Sequence, residues 1–353
     1  MDSRYQPERL EAFIVAALRA QDVLSDHART TGQRMIEADL RGRHGHGIFR
    51  LPMYSRRLAA GGFNLRPDIR TEHETAVSAL VDGDNALGHV VMTTVTELAI
   101  DKARRQGLAW VGARRSNHAG AAGVYTALAL QQDMIGFYFA VASANHMAPW
   151  GGVDMLLGTN PVAVAVPAGQ EPAVQLDMAT TVASYGEVKL AVAAGEELPR
   201  GWMVDRSGAS LTDPARVSEG LLVPIGDYKG YGLNLVIGLL AGVLNGAAFG
   251  SDVVDFNANQ SAPTDTGQAV LVMRADLFRP LEQFKADMDH HIRALRQSTP
   301  VEGGPPVRIP GERAARYEQE TRTVGIPVSD QLRQQLTDLA DRLSLDDRLE
   351  VDR

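Results

Sequence analysis

Residues 108–132 read LAWVGARRSNHAGAAGVYTALALQQ, and the order of elements in this stretch decides the fold class. LAWVGA (108–113) is a short apolar run that predicts a buried strand, whereas AGVYTALALQQ (122–132) predicts a helix. The loop between them, RRSNHAG (114–120), lies at the carboxyl end of the strand, where α/β sheets favour ligand sites. A strand, a loop and a helix in direct succession are the basic unit of α/β proteins.

The alternation of strands and helices extends outward from this stretch in both directions. A linker rich in proline and glycine, STPVEGGPPVRIPGE, leads to a helical tail for which Ser329 is the expected N-cap. The other predicted helices cover residues 7–20, 25–40, 90–106, 230–246 and 283–297, and the other predicted strands cover 135–144, 162–167, 173–179 and 269–275. This pattern predicts an α/β fold.

Composition excludes several classes of function. The formal net charge is -8, and Lys and Arg are scattered, so neither a nucleic acid nor an anionic membrane surface is an expected partner. The sequence contains no cysteine, which excludes disulfides, thiol nucleophiles, iron–sulfur clusters and cysteine-type zinc sites. This composition fits a reducing compartment, and the first residues lack the apolar run of a signal peptide, so we expect a cytoplasmic protein.

One segment, Gly230–Ser251, has no charged residue and has glycines at a spacing of four, a pattern that occurs in membrane helices. Asn234 and Asn245 within it would be costly in lipid, and no other segment could accompany a single span. We therefore expect a helix in a soluble core, packed closely against a sheet or a partner subunit. Because residues 230–246 offer no polar face, we predict a homodimer in which this helix is buried.

Familiar nucleotide and metal motifs are missing. No G-x-G-x-x-G follows a strand, and there is no G-x-x-x-x-G-K-[ST] loop or H-E-x-x-H helix. The two histidine pairs, His44 with His46 and His290 with His291, have no recognisable third ligand in the sequence. We expect no metal site.

Two loops concentrate reactive side chains. In the first, His46 lies between Gly45 and Gly47, and Arg50 follows four residues later. Histidine exchanges protons near neutral pH, glycine allows close approach of a ligand, and arginine binds a carboxylate through two parallel hydrogen bonds. Taken alone, this loop is equally well explained as a basic surface turn.

The second loop is Ser116–Gly120, which contains His118. The helix that follows offers free backbone N–H groups to a phosphate. The alternative interpretation is a capped helix start with a surface histidine. Neither loop identifies a function by itself.

Six segments in order resemble the malate/L-lactate dehydrogenase family. They are ADLRGRHGHGIFRLPMY, SNHAGAAG, MAPWGG with LGTNPVAVAVP, LDMATTVASYGEV, IGDYKGYGLNL and RIPGE, and they extend from about residue 38 to residue 313. Each segment is weak evidence alone, but collinear order makes the resemblance strong.

The resemblance implies a fold in which the nicotinamide-binding domain is not a Rossmann domain and a mixed sheet is flanked by helices, with helical N- and C-terminal segments. It implies a cofactor-binding domain at 116–297. Residues 1–115 with 298–353 would form a discontinuous helical domain for substrate binding and dimerisation, in which 42–75 form a small subdomain carrying His46. The chain would work as a homodimer.

The resemblance also assigns roles to residues. His46 matches the proton donor, and His118 matches an acid/base histidine of the ureidoglycolate dehydrogenase-like members. Arg50 and Tyr54 match substrate-side positions, and His44 is placed beside them. The cofactor would be NAD or NADP, with no metal, and its implied contacts are His118, Ala119, Gly120, Ala121, Ala122, Ser143, Asp177, Met178, Ala179, Lys229, Gly230 and Gly311. Lys229 is expected near the phosphates.

Two positions depart from the usual family pattern. Gly45 replaces the serine that usually precedes the first histidine, so a proton relay through that hydroxyl cannot operate; His44, a water molecule or His118 would have to substitute. Glu187 stands where the imino-acid reductases have a relay Asp and many hydroxy-acid dehydrogenases have Lys, so it is a further catalytic candidate.

Three functions are therefore considered. The first is hydride transfer between a nicotinamide and C2 of a small 2-oxo or 2-hydroxy carboxylic acid, with His46 required for turnover and Arg50 mainly for substrate binding. The second is reduction of a cyclic imino acid. The third is a non-catalytic relative that binds a nucleotide, for which Gly45 is the only support.

Overall fold

The structure, a computed structural model, describes residues 3–349 and is built around a seven-stranded mixed sheet. The strands are β1 (Ser3–Tyr5), β2 (Arg70–Glu74), β3 (Ser78–Asp82), β4 (Leu108–Ser116), β5 (Met134–Ala140), β6 (Val162–Val166), β7 (Val174–Met178), β8 (Met203–Val204), β9 (Leu221–Leu222), β10 (Thr266–Arg274) and β11 (Ile326–Val328). The helices are α1 (Pro7–Arg19), α2 (Ser25–Leu40), α3 (Leu51–Ala59), α4 (Gly88–Gln106), α5 (Gly123–Leu130), α6 (Tyr185–Ala194), α7 (Tyr228–Ala241), α8 (Leu281–Arg296), α9 (Glu312–Val324) and α10 (Asp330–Leu343).

The strand order of the large sheet is β2-β3-β4-β10-β5-β6-β7. The late strand β10 lies in the middle, antiparallel to both β4 and β5, while β3 runs parallel to β4. The sheet is therefore mixed, and the fold is α/β, as the resemblance implies. Because β10 pairs with β4, the sheet continues across the domain boundary expected at residues 115 and 116.

Helices cover both faces of this sheet. On β4, Ala109, Val111 and Ala113 point towards the buried apolar side chains of α4. Gly112 faces the other side, where a Cβ atom would lie 2.1 Å from Oδ1 of Asn245. Only glycine lets the turn after α7 approach the strand so closely.

A second apolar core joins the two ends of the chain. Leu10 and Ile14 of α1 are fully buried in one cluster with Leu336 and Leu339 of α10. Tyr5 of β1 pairs with β11, just before α10 begins. Ser329 caps α10 by accepting the Leu332 N–H, as predicted. The helical N- and C-terminal segments expected from the sequence therefore pack against each other around this core.

In the single chain, the helix predicted at residues 230–246 is only partly buried, and its burial in a homodimer stays a prediction. The helix ends at Ala241 and is followed by a short 3₁₀ turn at Val243–Asn245. Ile237 and Gly238 face the core, but Val236 and Leu244 are 51% and 62% exposed. The helix therefore has one buried face and one exposed face, and both are apolar. No helix within residues 3–349 is long and apolar enough to cross a membrane.

Candidate active site

Asp39, near the end of α2, holds the first histidine loop in place. One of its carboxylate oxygens accepts the Ile48 N–H at 2.8 Å, and the other lies 2.9 Å from Nδ1 of His44. A Cβ atom on Gly47 would lie 2.1 Å from this carboxylate, so the loop can close over Asp39 only with glycine there. The loop forms two short 3₁₀ turns, which place His46 and Arg50 just before the start of α3.

The structure brings His46 and His118 together. Their imidazole rings stack with centroids 5.4 Å apart and an interplanar angle of 15°. The loops that carry them come from distant parts of the sequence, so the predicted site is assembled by the fold. Nδ1 of His46 is buried and has no hydrogen-bond partner among residues 3–349.

The ring of His118 is oriented by hydrogen bonds. Its Nδ1 lies 2.5 Å from the hydroxyl oxygen of Tyr54 and accepts a longer bond, 3.4 Å, from the Gly120 N–H. Tyr54 is fully buried, and burial raises its pKa, so the phenol stays protonated. Since a hydroxyl can donate or accept, this contact can persist in either protonation state of His118. Nε2 of His118 is left for other partners.

Both histidines are neutral in the free chain. Burial, together with the smaller effect of the charges of Arg50 and Arg43, lowers the pKa of His46 to about 3. Burial also lowers the pKa of His118 well below its usual value, again assisted by Arg50. An anion bound to Arg50 would offset this repulsion and favour protonation of the neighbouring ring.

Arg50 is a partly buried cation without an acidic partner in the described part of the chain. Its Nε donates to the Gly45 carbonyl at 2.7 Å, and Nη1 lies 3.5 Å from Oδ1 of Asn257. These bonds fix the guanidinium plane and leave N–H groups for a ligand. Loss of hydration is the main reason for the lowered pKa of Arg50, because its charge has no anion beside it to compensate.

Sequence analysis missed His89, which lies behind this site. His89 is fully buried at the start of α4, and its ring meets Tyr54 edge to face at 5.5 Å. A Cβ atom on Gly120 would lie 2.8 Å from its Nε2. Neither ring nitrogen has a hydrogen-bond partner within residues 3–349, and burial lowers its pKa to about 3. Its position inside an apolar helix gave no signal of this placement.

A cavity of about 520 Å³ opens on the other side of His44. Its wall combines small residues that leave room for a ligand with arginines that suit phosphate groups. The lining includes Arg41, Gly42, Arg43, His44, Ala121, Gly123, Asp177, Glu187, Gly311, Arg313 and Tyr317. Within residues 3–349, no group of three or more His, Asp or Glu side chains is arranged to hold a metal ion.

Comparison with known proteins identifies the family. The family model described as malate/L-lactate dehydrogenase matches residues 5–337. The L-sulfolactate dehydrogenase of Methanocaldococcus jannaschii is 36% identical over 96% of this chain and 97% of its own length. Its solved structure gives a TM-score of 0.89 over 98% of both chains. The chain belongs to the malate/L-lactate dehydrogenase family.

Two further relatives also match most of the chain. The NAD(+)-dependent ureidoglycolate dehydrogenase of Escherichia coli O157:H7 is 34% identical over 93% of each chain. The δ1-piperideine-2-carboxylate reductase of Pseudomonas syringae has a TM-score of 0.84 at 25% identity, covering 96% of this chain and 99% of that one. The chain is therefore an NAD(P)-dependent oxidoreductase of a family that acts on small hydroxy acids.

The cofactor positions implied by the malate/L-lactate dehydrogenase family fall in three places. Ala121, Asp177 and Gly311 line the cavity. Ser143 lies nearer the histidines, because its carbonyl accepts the N–H of Phe256, whose ring contacts His118 at 5.6 Å. Lys229 is exposed at the start of α7, outside the cavity lining.

Glu187 also lines the cavity, but its carboxylate serves the local fold. It accepts the Ser184 N–H at 2.7 Å, while the Ser184 hydroxyl accepts the Glu187 N–H. This reciprocal pair is a capping box that starts α6. Within residues 3–349, Glu187 makes no hydrogen bond to His46 or His118, and its role in a proton relay stays a prediction.

Proposed function

We propose that this chain transfers a hydride between a nicotinamide and C2 of a small 2-oxo or 2-hydroxy carboxylic acid. The observation that carries the proposal is the partly buried guanidinium of Arg50, which lacks an acidic partner within residues 3–349 and lowers the pKa of both His46 and His118. A carboxylate bound to Arg50 places its neighbouring carbon beside two proton-exchanging rings.

We assign the exchange of the substrate's proton to the pair formed by His46 and His118. Sequence analysis favoured His46, whereas the hydrogen bond with Tyr54 favours His118, because an oriented imidazole presents its second nitrogen to the substrate. When Nδ1 carries the ring proton and donates it to the Tyr54 oxygen, in place of accepting from the Gly120 N–H, Nε2 of the neutral ring can accept the hydroxyl proton of a 2-hydroxy acid during oxidation. In reduction, a protonated ring donates to the same oxygen. His46 stacks against it and shares the field of Arg50.

The nicotinamide dinucleotide supplies or accepts the hydride when it is bound. Its site is assigned to the cavity lined by Ala121, Asp177 and Gly311. Arg43, which donates to the main-chain carbonyl of Asp177 at 2.8 Å, is placed to meet a phosphate. The acidic Asp177 is tied to the start of α5 by the Gly123 N–H, so it shapes the wall.

The second candidate is reduction of a cyclic imino acid, which the similarity to the piperideine-2-carboxylate reductase supports. In that reaction, the proton goes to nitrogen. Gly45 offers no hydroxyl for a relay, and Glu187 is engaged in a helix cap, so the oxo-acid reaction is the better supported of the two.

We also infer that the chain forms a homodimer through the outer face of α7. Leu233, Val236 and Leu239 are each about 40–50% exposed on this face, followed by Val243 and Leu244 after the helix end. A contiguous apolar surface of this kind is typical of a protein interface.

The direct test is oxidation of NADH and NADPH by the purified chain with pyruvate, oxaloacetate, sulfopyruvate and piperideine-2-carboxylate in parallel. Turnover of at least one oxo acid supports the proposal. His118→Ala should lower kcat by about a hundredfold or more. If His46→Ala has this effect and His118→Ala does not, the proton belongs to His46. If the chain binds NAD(P)H but reduces only the imino acid, the second candidate is correct.

A further inference from the structure

The hydroxyl of Tyr317 ends a chain of hydrogen bonds that begins in the protein core at Asp39. His44 lies between the two residues, with Nδ1 2.9 Å from the Asp39 carboxylate and Nε2 2.9 Å from the Tyr317 oxygen. Asp39 is only 1% exposed, whereas His44 and Tyr317 both line the cavity. The arrangement couples α2, the first histidine loop and α9.

Tyr317 is fixed at both ends of its side chain. Its ring packs against Gly42, where φ is +71° and a Cβ atom would lie 3.3 Å from Cδ1. Its hydroxyl is held by His44, and the two rings meet edge to face at 5.7 Å. A phenol held in this way is preorganised, so little side-chain entropy is lost when a ligand binds to it.

The direction of the hydrogen bonds follows from Asp39. An ionised carboxylate can only accept, so Nδ1 of His44 carries the proton. In a neutral imidazole, Nε2 must then accept, and the hydroxyl proton of Tyr317 is given to His44. Within residues 3–349, the Tyr317 oxygen has no other hydrogen-bond partner. It therefore offers only lone pairs to the cavity.

We propose that Tyr317 is a cofactor-binding residue that accepts a hydrogen bond from a ribose hydroxyl of the nicotinamide dinucleotide. The inference rests on the proposed function, because that function places the dinucleotide in this cavity. A phosphate oxygen beside Tyr317 would bring two acceptors together, whereas a ribose hydroxyl supplies the missing proton. Arg41 and Arg43 in the same wall suit the phosphates, to which the riboses are directly joined.

The test measures binding rather than turnover. The full chain at about pH 8 is titrated with NADH, and binding is followed by the fluorescence of the reduced nicotinamide. Tyr317→Phe keeps the ring against Gly42 and removes only the hydroxyl. We expect it to weaken NADH binding by about 3- to 10-fold, the effect of one neutral hydrogen bond. Tyr5→Phe is the matched control, because it removes a buried hydroxyl that bonds to the Leu349 carbonyl at 2.6 Å.

Two further arms make the outcome decisive. His44→Ala should weaken NADH binding by a similar factor, and the double variant should lose little more than either single variant, because both act through one hydroxyl. Displacement of NADH by ADP and by reduced nicotinamide mononucleotide shows which ribose is involved, since only one half-molecule should be affected by Tyr317→Phe.

The inference is overturned if Tyr317→Phe binds NADH as tightly as the wild type, or if neither half-molecule is affected. Thermal unfolding of each variant identifies a loss of affinity that comes from unfolding. If the wild type itself binds neither NADH nor NADPH, the proposed cofactor site fails first, and this result is distinct from failure of Tyr317.

Discussion

The hydroxyl oxygen of Tyr54 lies 2.5 Å from Nδ1 of His118, and this contact orients the imidazole ring. Tyr54 is fully buried, with Phe63 and Phe256 against its ring at 6.2 and 5.8 Å. The apolar packing fixes the phenol, and the phenol fixes the imidazole. We therefore expect Tyr54 to act through His118 and not by contact with the substrate.

Tyr54→Phe should lower kcat by about tenfold or more while leaving KM for the oxo acid nearly unchanged, because only the orientation of His118 is lost. The pH dependence of kcat should also change, which a purely structural role of Tyr54 would not produce. Steady-state kinetics over a range of pH tests this, with Tyr5→Phe as the control. A raised KM at unchanged kcat would instead place Tyr54 on the substrate, as the family resemblance suggests.

Replacing Arg50 should mainly affect substrate binding. Arg50→Met removes a charged hydrogen-bonding group, so KM should rise by about 10- to 100-fold with a smaller change in kcat. Because the charge of Arg50 lowers the pKa of His46 and His118, its removal should move the pH profile to higher pH. Arg56→Ala, an exposed neighbour on α3, is the control. An unchanged KM would remove Arg50 from the substrate site.

The two glycines around His46 should respond differently to substitution. Gly47→Ala places a Cβ atom 2.1 Å from the Asp39 carboxylate and should destabilise the fold by about 1–3 kcal/mol, with loss of activity. Gly45→Ser meets no atom within 4 Å and should change stability by less than about 0.5 kcal/mol. Urea unfolding of both variants tests the contrast. Equal effects would mean that the loop is not held by Asp39.

The outer face of α7 provides a test of the oligomeric state. Val236→Glu should convert a dimer into a monomer in sedimentation at micromolar protein, because an unpaired charge in an apolar interface costs several kcal/mol. Leu295→Glu is the control, since Leu295 is 58% exposed on α8, away from α7. A wild-type chain that sediments as a monomer would contradict the dimer outright.

Sequence patterns predicted many of the elements that have an apolar face, although α3 and β3 were missed. The predicted helix at 25–40 matches α2, and the predicted strand at 162–167 closely matches β6. The hairpin partner β2 was missed because most of its side chains are exposed at the sheet edge, so RTEHE shows no alternation of apolar residues. Helix α9 was missed for the same reason, because only Thr321 on it is buried.

The candidate site was predictable only in part. Its two histidine loops stand out in the sequence, because glycine, histidine and arginine are concentrated there. The stacking of His46 on His118, the place of His89 behind Tyr54 and the bond from Tyr317 to His44 depend on tertiary packing between distant elements. No local sequence pattern indicates such contacts, so they could not be predicted without the structure.

The buried histidines predict how stability depends on pH. Burial lowers the pKa of His89 to about 3, whereas an exposed imidazole in the unfolded chain titrates near pH 6.5. Between these values, the unfolded chain holds a proton that the folded chain lacks, so the free energy of unfolding rises with pH and falls on acidification. Each such histidine contributes a slope of up to about 1.4 kcal/mol per pH unit in this window.

His89→Gln removes one of these groups and should reduce that slope by about 1.4 kcal/mol per pH unit between roughly pH 4 and 6. Above about pH 7.5, the wild-type and variant curves should run parallel, because the unfolded imidazole is neutral there. The measurement is urea unfolding at a series of pH values. If both proteins show the same slope in the acidic window, His89 takes up a proton in the folded chain, and the dry environment assigned to it behind Tyr54 is wrong.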